Sequence, residues 1–442
     1  MELTFNGFWP TLLLLALVCA GGLALIQQTA RRFDDATLLK IRYVFITKVI
    51  IVIALGFVWD YQVRTDKAEL KGDQERYYHQ AIDVGRAGLT RASVINGVQN
   101  INYPGILYIY GALFRIFGEN VFSAALFNTF PTLLTTLLLI RVAYRIKKSR
   151  DRFDWTLGLM MLVPDVLCCD VMTSRDTLAM SLVAIPVLLV ADFLLRADGN
   201  AWLTLLVVAV CFVLLAAVRT TALIPAVASV IVLLVKFRSR VKLRTIALVS
   251  AAALFFLLVA PKFSEYLGGY RMTVVQIMKV TVINPGPKFI NAFTWTSRSI
   301  GQLLIPKSVT QAVLFAVPRM IAYLIIPLPA VRMPGSFDWT TCQGVLAASS
   351  SILYLAIFPF ALVATKRDES MALVAPFWLA FLTVAGGTAV LQERYRVMIV
   401  PFLCGCVWLG RMASRRQLIG AYLAWGLILA TGAVAAIAYK YA

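Results

Sequence analysis

The sequence predicts an all-α fold, a polytopic transmembrane helix bundle of about twelve spans, and three observations carry that reading. The chain is 60% hydrophobic and only 14% charged, too apolar for the surface of a water-soluble globule of its length. Apolar runs of about 17 to 22 residues recur along it, each long enough to cross a hydrocarbon core of about 30 Å as a helix. The formal net charge of +20 would point to nucleic acid in a soluble protein, but here the bases gather in short turns between apolar runs. Membrane orientation accounts for that pattern without a nucleic-acid partner.

The candidate spans lie near 8–27, 43–59, 121–145, 155–171, 174–195, 200–218, 220–235 and 244–261, then 345–365, 371–391, 397–412 and 418–438. The first has no basic residue ahead of it and Arg31-Arg32 behind it, the reverse of a secretory signal, so it is expected to stay attached with its N-terminus outside. Two further apolar runs are poor spans. Residues 103–117 are short, and 311–330 are broken by Pro318, Pro327 and Pro329. Basic turns surround Arg31, Arg145 to Arg150, Lys236 to Arg244, Lys366-Arg367 and Arg411 to Arg416. All of them fall on the cytoplasmic side only if 103–117 and 311–330 do not cross completely, which predicts re-entrant or interfacial helices there.

One integral membrane domain, 1–442, then carries two long outer loops. The first, 60–102, holds Asp60, Asp66, Glu69, Asp73, Glu75 and Asp83, balanced by as many bases. The second, 262–310, has Glu265 as its single acid against six bases, which runs against the orientation rule and would suit an anion at the outer face. A solvated loop that happens to be basic is the other reading. Six of the seven cysteines lie in apolar runs, where a thiol behaves as a small hydrophobe, so no disulfide framework is expected. The chain has no G-x-G-x-x-G, no Walker loop and no D-x-D, so nothing suggests a cytoplasmic nucleotide site.

Ionisable residues at membrane depth are costly and are functional candidates. Arg219 interrupts the apolar stretch 207–235, and by the same parity it emerges at the outer surface with Asp170, Arg175, Asp176 and the run Glu393-Arg394-Tyr395-Arg396. Structural readings stand beside the functional ones: Arg219 can snorkel or pair, and Arg175 with Asp176 can open a helix capped by Ser174. Asp73 and Glu75 are two apart and point to different sides. Either could serve as a general base, and a D-x-E spacing could hold a cation. His79, the only histidine, reads first as an interfacial residue. Tyr77, Tyr78, Tyr103 and Tyr108 suit a headgroup-level belt or a platform for a sugar ring.

The order of Gly72-Asp73-Gln74-Glu75-Arg76-Tyr77-Tyr78, Tyr103-Pro104-Gly105, Leu113 to Gly118, Ser174-Arg175-Asp176, Val218-Arg219 and Glu393-Arg394-Tyr395-Arg396 resembles the GT-C class of polytopic glycosyltransferases. The likeness is to bacterial relatives of the protein mannosyltransferase and aminoarabinose transferase family, and it spreads over roughly residues 43–412. It implies a polyprenyl-phosphate-linked sugar donor, inversion at the anomeric carbon, and a glycan, lipid or protein acceptor. By this resemblance Asp73, with Glu75 beside it, is the catalytic base. Arg394 and Arg396, with Arg219 and Arg175, hold the donor phosphate, and Tyr77, His79, Tyr103, Asp176 and Glu393 line the substrate site. The sequence departs from the family where it reads Asp-Gln-Glu instead of adjacent Asp-Glu, and it has no soluble domain after 262. No cofactor is required by the pattern, and a divalent metal stays open.

The implied place is the bacterial inner membrane, with the site on its outer face among membrane lipids. The physics agrees: a lipid phosphate leaving group needs cationic clamps, and an acceptor hydroxyl needs a carboxylate within reach. Two other classes fit the composition, an O-antigen-type polysaccharide polymerase and a transporter or flippase. Paired halves and polar residues near the midplane would favour transport, and the charges in the sequence instead gather towards one surface.

Overall fold

The computed structural model describes residues 5–29, 35–65, 73–97, 104–147, 155–196, 201–241, 243–267, 308–325, 339–364, 368–386 and 393–441. Among them the secondary structure is helical throughout, with no strand. The helices are α1 Phe5–Thr29, α2 Asp35–Thr65, α3 Asp73–Arg86, α4 Arg91–Gly97, α5 Gly105–Phe117 and α6 Val121–Lys147. After them come α7 Trp155–Gly158, α8 Pro164–Val171, α9 Arg175–Leu195, α10 Ala201–Arg219, α11 Leu223–Lys236 and α12 Leu243–Tyr266. The last are α13 Val309–Leu314, α14 Ala316–Ile325, α15 Trp339–Val363, α16 Met371–Gly386, α17 Val400–Gly410 and α18 Arg415–Tyr441. Eight helices among the described residues are long and apolar enough to cross a membrane. This is a helical membrane protein.

Polar contacts between helix ends show how the bundle is strung. Arg141 and Arg145, in the last turns of α6, lie 3.0 and 3.6 Å from the carboxylate of Asp192 in the last turn of α9, which Arg196 also reaches. Arg240 donates to the Leu194 carbonyl at 3.1 Å, Lys236 to Asp368 at 2.9 Å, and Arg411 to Thr156 at 2.9 Å. The basic turns after α6, α11 and α17 therefore share one end of the bundle, here the basic end. The start of α1 meets the start of α6 through Asn120 and Thr11, 2.8 Å apart. The end of α1 and the start of α2, which flank Arg31 and Arg32 in sequence, are thus on the basic side as well, and those two arginines lie outside the described residues.

The opposite end gathers the starts of α6, α9, α11 and α15 and the ends of α2, α10 and α12. The apolar stretch Trp202–Lys236 is continuous in hydropathy, but the chain turns back within it. Arg219 leaves helical geometry (φ −163, ψ 87), its guanidinium meets Asp176 at the start of α9, and Arg240 meets Leu194 at the end of α9. Helices α10 and α11 are consequently an antiparallel pair, as the sequence division at 218–220 anticipates.

The segment expected as a span at 155–171 is interrupted. After α7 and a 3-10 turn, Val163 is extended (φ −58, ψ 128) and Pro164 starts α8. Proline has no N–H to continue the first helix and disfavours helical geometry in the residue before it. The run crosses from Thr156 at the basic end to Ser174 at the other, but as two pieces meeting in the core.

Helix α5 begins against α10, since a Cβ on Gly105 would sit 2.7 Å from the Ala217 carbonyl oxygen. It ends at Gly118, next to the α6 start where Asn120 meets Thr11. Both its ends are therefore at the same end of the bundle. Helix α3 lies along α5 at a two-glycine crossing, where a Cβ on Gly85 would come within 2.7 Å of the Gly111 carbonyl oxygen. All seven cysteines are free thiols, five of them buried.

Candidate functional site

Four elements meet at the end of the bundle away from the basic turns. Helix α3, opened by Asp73, supplies Tyr77, whose ring lies 5.8 Å below the Arg175 guanidinium carbon. Arg175 begins α9 behind Ser174, whose hydroxyl accepts from the Asp176 amide at 3.4 Å as an N-cap. A first-turn carboxylate is favoured there by the helix dipole, and Asp176 uses its position to pair with Arg219 at the end of α10. Arg219 in turn lies 4.5 Å from the ring centroid of Tyr395, in the 3-10 segment Glu393–Ile399. A continuous run, Tyr77, Arg175, Asp176, Arg219, Tyr395, thus links the first-loop helix to the last expected motif across more than 300 residues of sequence.

Hydrogen bonds tie the elements at this end together. The hydroxyl of Tyr110 on α5 donates to the Ser174 carbonyl at 2.9 Å and contacts Asn128 Oδ1 at 3.0 Å, while Asn128 Nδ2 donates to the Asp170 carbonyl at 3.0 Å. Arg86 grips Glu119 with two nitrogens, Nε at 2.6 Å, and this bonding raises the guanidinium above the ordinary arginine range. The pair fastens the far end of α3 to the turn before α6.

The expected site residues are distributed unevenly. Glu75 and Tyr77 are buried in the first two turns of α3. His79 is half-buried with its ring 5.3 Å from that of Tyr78. Arg175, Asp176 and Arg219 come together as described. Tyr103, and residues 268–307 of the second outer loop, lie outside the described residues, as do the side chains of Asp73, Glu393 and Arg394.

Arg396 is placed deeper than the surface position expected of it. It is fully buried and its five N–H groups all meet protein acceptors. Nε and Nη2 grip the two Asp165 oxygens at 3.0 Å each; Nη1 donates to Ser351 Oγ at 2.6 Å and the Tyr323 carbonyl at 3.3 Å; Nη2 also reaches the Ala347 carbonyl at 3.0 Å. Asp165 further accepts from the Tyr354 hydroxyl at 2.9 Å, and its amide donates to Ser350 Oγ at 2.8 Å. So engaged, Arg396 ties the 3-10 segment to α8, α14 and α15 and has no donor left over for a ligand.

A second buried pair lies beyond it, Lys48 with Asp170, both side chains without solvent exposure; Thr132 donates to the same carboxylate at 3.2 Å. Lys48 is roughly 20 Å along α2 from its start, and Ser350 roughly 17 Å along α15, at 1.5 Å per residue. Both ion pairs therefore sit near the middle of their helices. The expectation that charge gathers only at one surface is corrected here: Asp165 and Asp170 ride on the broken helix 155–171 into the core, each against a cation from a distant helix.

Two cations and one acid of interest escaped the sequence reading. Lys48 and Arg319 each stand within an apolar run, which is itself the signal for a costly and purposeful charge. Asp165 follows Pro164 and looks like an ordinary helix-start acid. Arg319 differs from the others: it is fully buried on α14, and its Nε, Nη1 and Nη2 have no hydrogen-bond partner among the described residues. No group of three metal-ligating side chains converges among the described residues. Compared with known proteins, the chain is matched by no family model and by no curated sequence.

Proposed function

We propose that this chain is a membrane glycosyltransferase that moves a sugar from a polyprenyl-phosphate-linked donor to an acceptor at the outer face of a bacterial inner membrane. In this reading the chain crosses about twelve times. The two halves of Trp202–Lys236, the broken run 155–171, the run from Tyr395 to Gly410 and α18 are added to the other long apolar helices. Helices α5 and α14 are interfacial or re-entrant, and the basic end faces the cytoplasm.

The observation that supports the reading most is the contact between α3 and the ends of the deep helices. Asp73 begins α3, the helix whose Tyr77 meets Arg175. An acid from the first outer loop is thereby carried to the same end as the cationic residues Arg175 and Arg219. That is what an inverting transfer needs: a carboxylate to take the acceptor proton, and guanidinium groups where the leaving phosphate gains charge. Asp73→Asn should abolish transfer of radiolabelled sugar from a polyprenyl-phosphate donor in proteoliposomes, while insertion and thermal unfolding stay as in the parent. Transfer at the parent rate would remove Asp73 from the mechanism.

A second reading, a transporter or flippase, is favoured by one feature. Interrupted helices with buried charges at mid-depth are the way transporters build substrate sites, and the run 155–171 carries Asp165 and Asp170 in that manner. Movement of a fluorescent lipid-linked sugar across proteoliposomes, with no glycosidic product, would select it.

A further inference from the structure

We infer that Arg319 anchors a subsite for a phosphate group inside the bundle. The buried face of α14, Arg319 with Met320, Tyr323 and Leu324, packs on α15, α16 and the 393–399 segment. Tyr323, one turn on from Arg319, presents the carbonyl that receives Arg396 Nη1, so the same helix carries the orphan cation and an acceptor of the braced one. A guanidinium buried without a counter-charge is strongly unfavourable, because arginine does not give up its proton. At Lys48 and Arg396 this fold sets a carboxylate against the buried cation. At Arg319 it supplies none among the described residues.

The sequence around it points the same way. Between Glu265 and Asp338 there are seven basic residues and no acid, so the stretch leading to and from α14 holds no carboxylate of its own to answer Arg319. Three orphan nitrogens on one planar group call for more than the two oxygens of a carboxylate. A phosphate presents three acceptor oxygens and can engage both edges of the fork. The phosphate could arrive on a lipid or free in solution; the chemistry recognised is the same. This inference rests on the burial of Arg319, and it deepens the glycosyltransferase reading by giving the released polyprenyl phosphate, a monoester with three free oxygens, a residue other than Arg396.

The test uses the full chain in detergent micelles, with ligand binding followed by thermal shift and by native mass spectrometry. Probes are a long-chain polyprenyl phosphate, the uncharged polyprenol of the same length, and inorganic phosphate. In the parent, polyprenyl phosphate raises the unfolding temperature and polyprenol does not. Arg319→Met binds polyprenyl phosphate about 10- to 100-fold more weakly, the loss of one charge-assisted contact, and Arg319→Lys recovers part of the difference. Without ligand, Arg319→Met unfolds at or above the parent temperature, since it removes an uncompensated charge. Equal protection by inorganic phosphate, lost in Arg319→Met, identifies the subsite with a free anion as its occupant.

Undiminished binding by Arg319→Met, or a ligand-free unfolding temperature well below the parent's, overturns the proposal. Failure of the enzyme reading looks different: no sugar is transferred by the parent, yet polyprenyl phosphate still protects it through Arg319.

Discussion

Burial gives the charged side chains of this protein different duties. Arg219 and Arg396 are both natural candidates for a phosphate clamp, yet one is held by a single carboxylate and a tyrosine ring and the other by five acceptors. Removing half of a buried pair leaves the other charge stranded, which costs about 3–5 kcal/mol, whereas replacing both by apolar groups of similar volume is often neutral. Asp176→Leu should therefore lower the thermal stability of the purified protein markedly, and Asp176→Leu combined with Arg219→Met should recover most of it. A double variant as unstable as the single one would mean that the residues act independently. The presence of Arg175, Asp176 and Arg219 at one end could be read from the chain, since each breaks an apolar run beside a turn. Which acid answers which base could not, because Asp165 and Arg396 are more than 200 residues apart and only packing pairs them.

Helices here are placed by a few close approaches. Gly85 and Gly111 let α3 and α5 cross with backbone in contact, and that crossing sets where Glu75 and Tyr77 stand relative to Arg175. Gly85→Val would drive a branched side chain against the Gly111 carbonyl, an overpacking cost of about 1–3 kcal/mol that only a shift of α3 can relieve. Sugar transfer by Gly85→Val should fall at least tenfold, with faster proteolytic cutting between residues 60 and 103, although the deep helices remain protected. Unaltered proteolysis and transfer would show that α3 does not depend on this crossing. Helix existence was legible for the long apolar elements, because a run of some twenty apolar residues has few alternatives in lipid. The interruption at Val163 was announced by Pro164 in the sequence, but its result, a broken helix carrying two carboxylates inward, follows from neighbours that fill the gap.

At the scale of the molecule the bundle is polar about its axis: basic turns at one end, the first-loop helices and converging site residues at the other. The orientation that follows is testable by thiol labelling in a background with the half-buried Cys19 and Cys342 replaced by alanine. With the basic end in the cytoplasm, an impermeant maleimide should label Ala87→Cys in intact spheroplasts and Ser239→Cys only after permeabilisation; both positions are exposed. The reverse pattern would place the site on the cytoplasmic face and remove the envelope reading.

Composition and run length were enough to establish a helical membrane protein, and the scatter of basic turns was enough to sort helix ends into two groups, because hydrophobic length and flanking charge act locally and do not depend on which helix packs on which. Tertiary structure alone decided the rest. Carboxylates from α8 and α9 were matched to cations from α2, α10 and the 393–399 segment, and Arg319 was left with none among the described residues. In an interior of low dielectric a charge is governed by its nearest partner, and that partner is chosen by the packing of helices far apart in sequence.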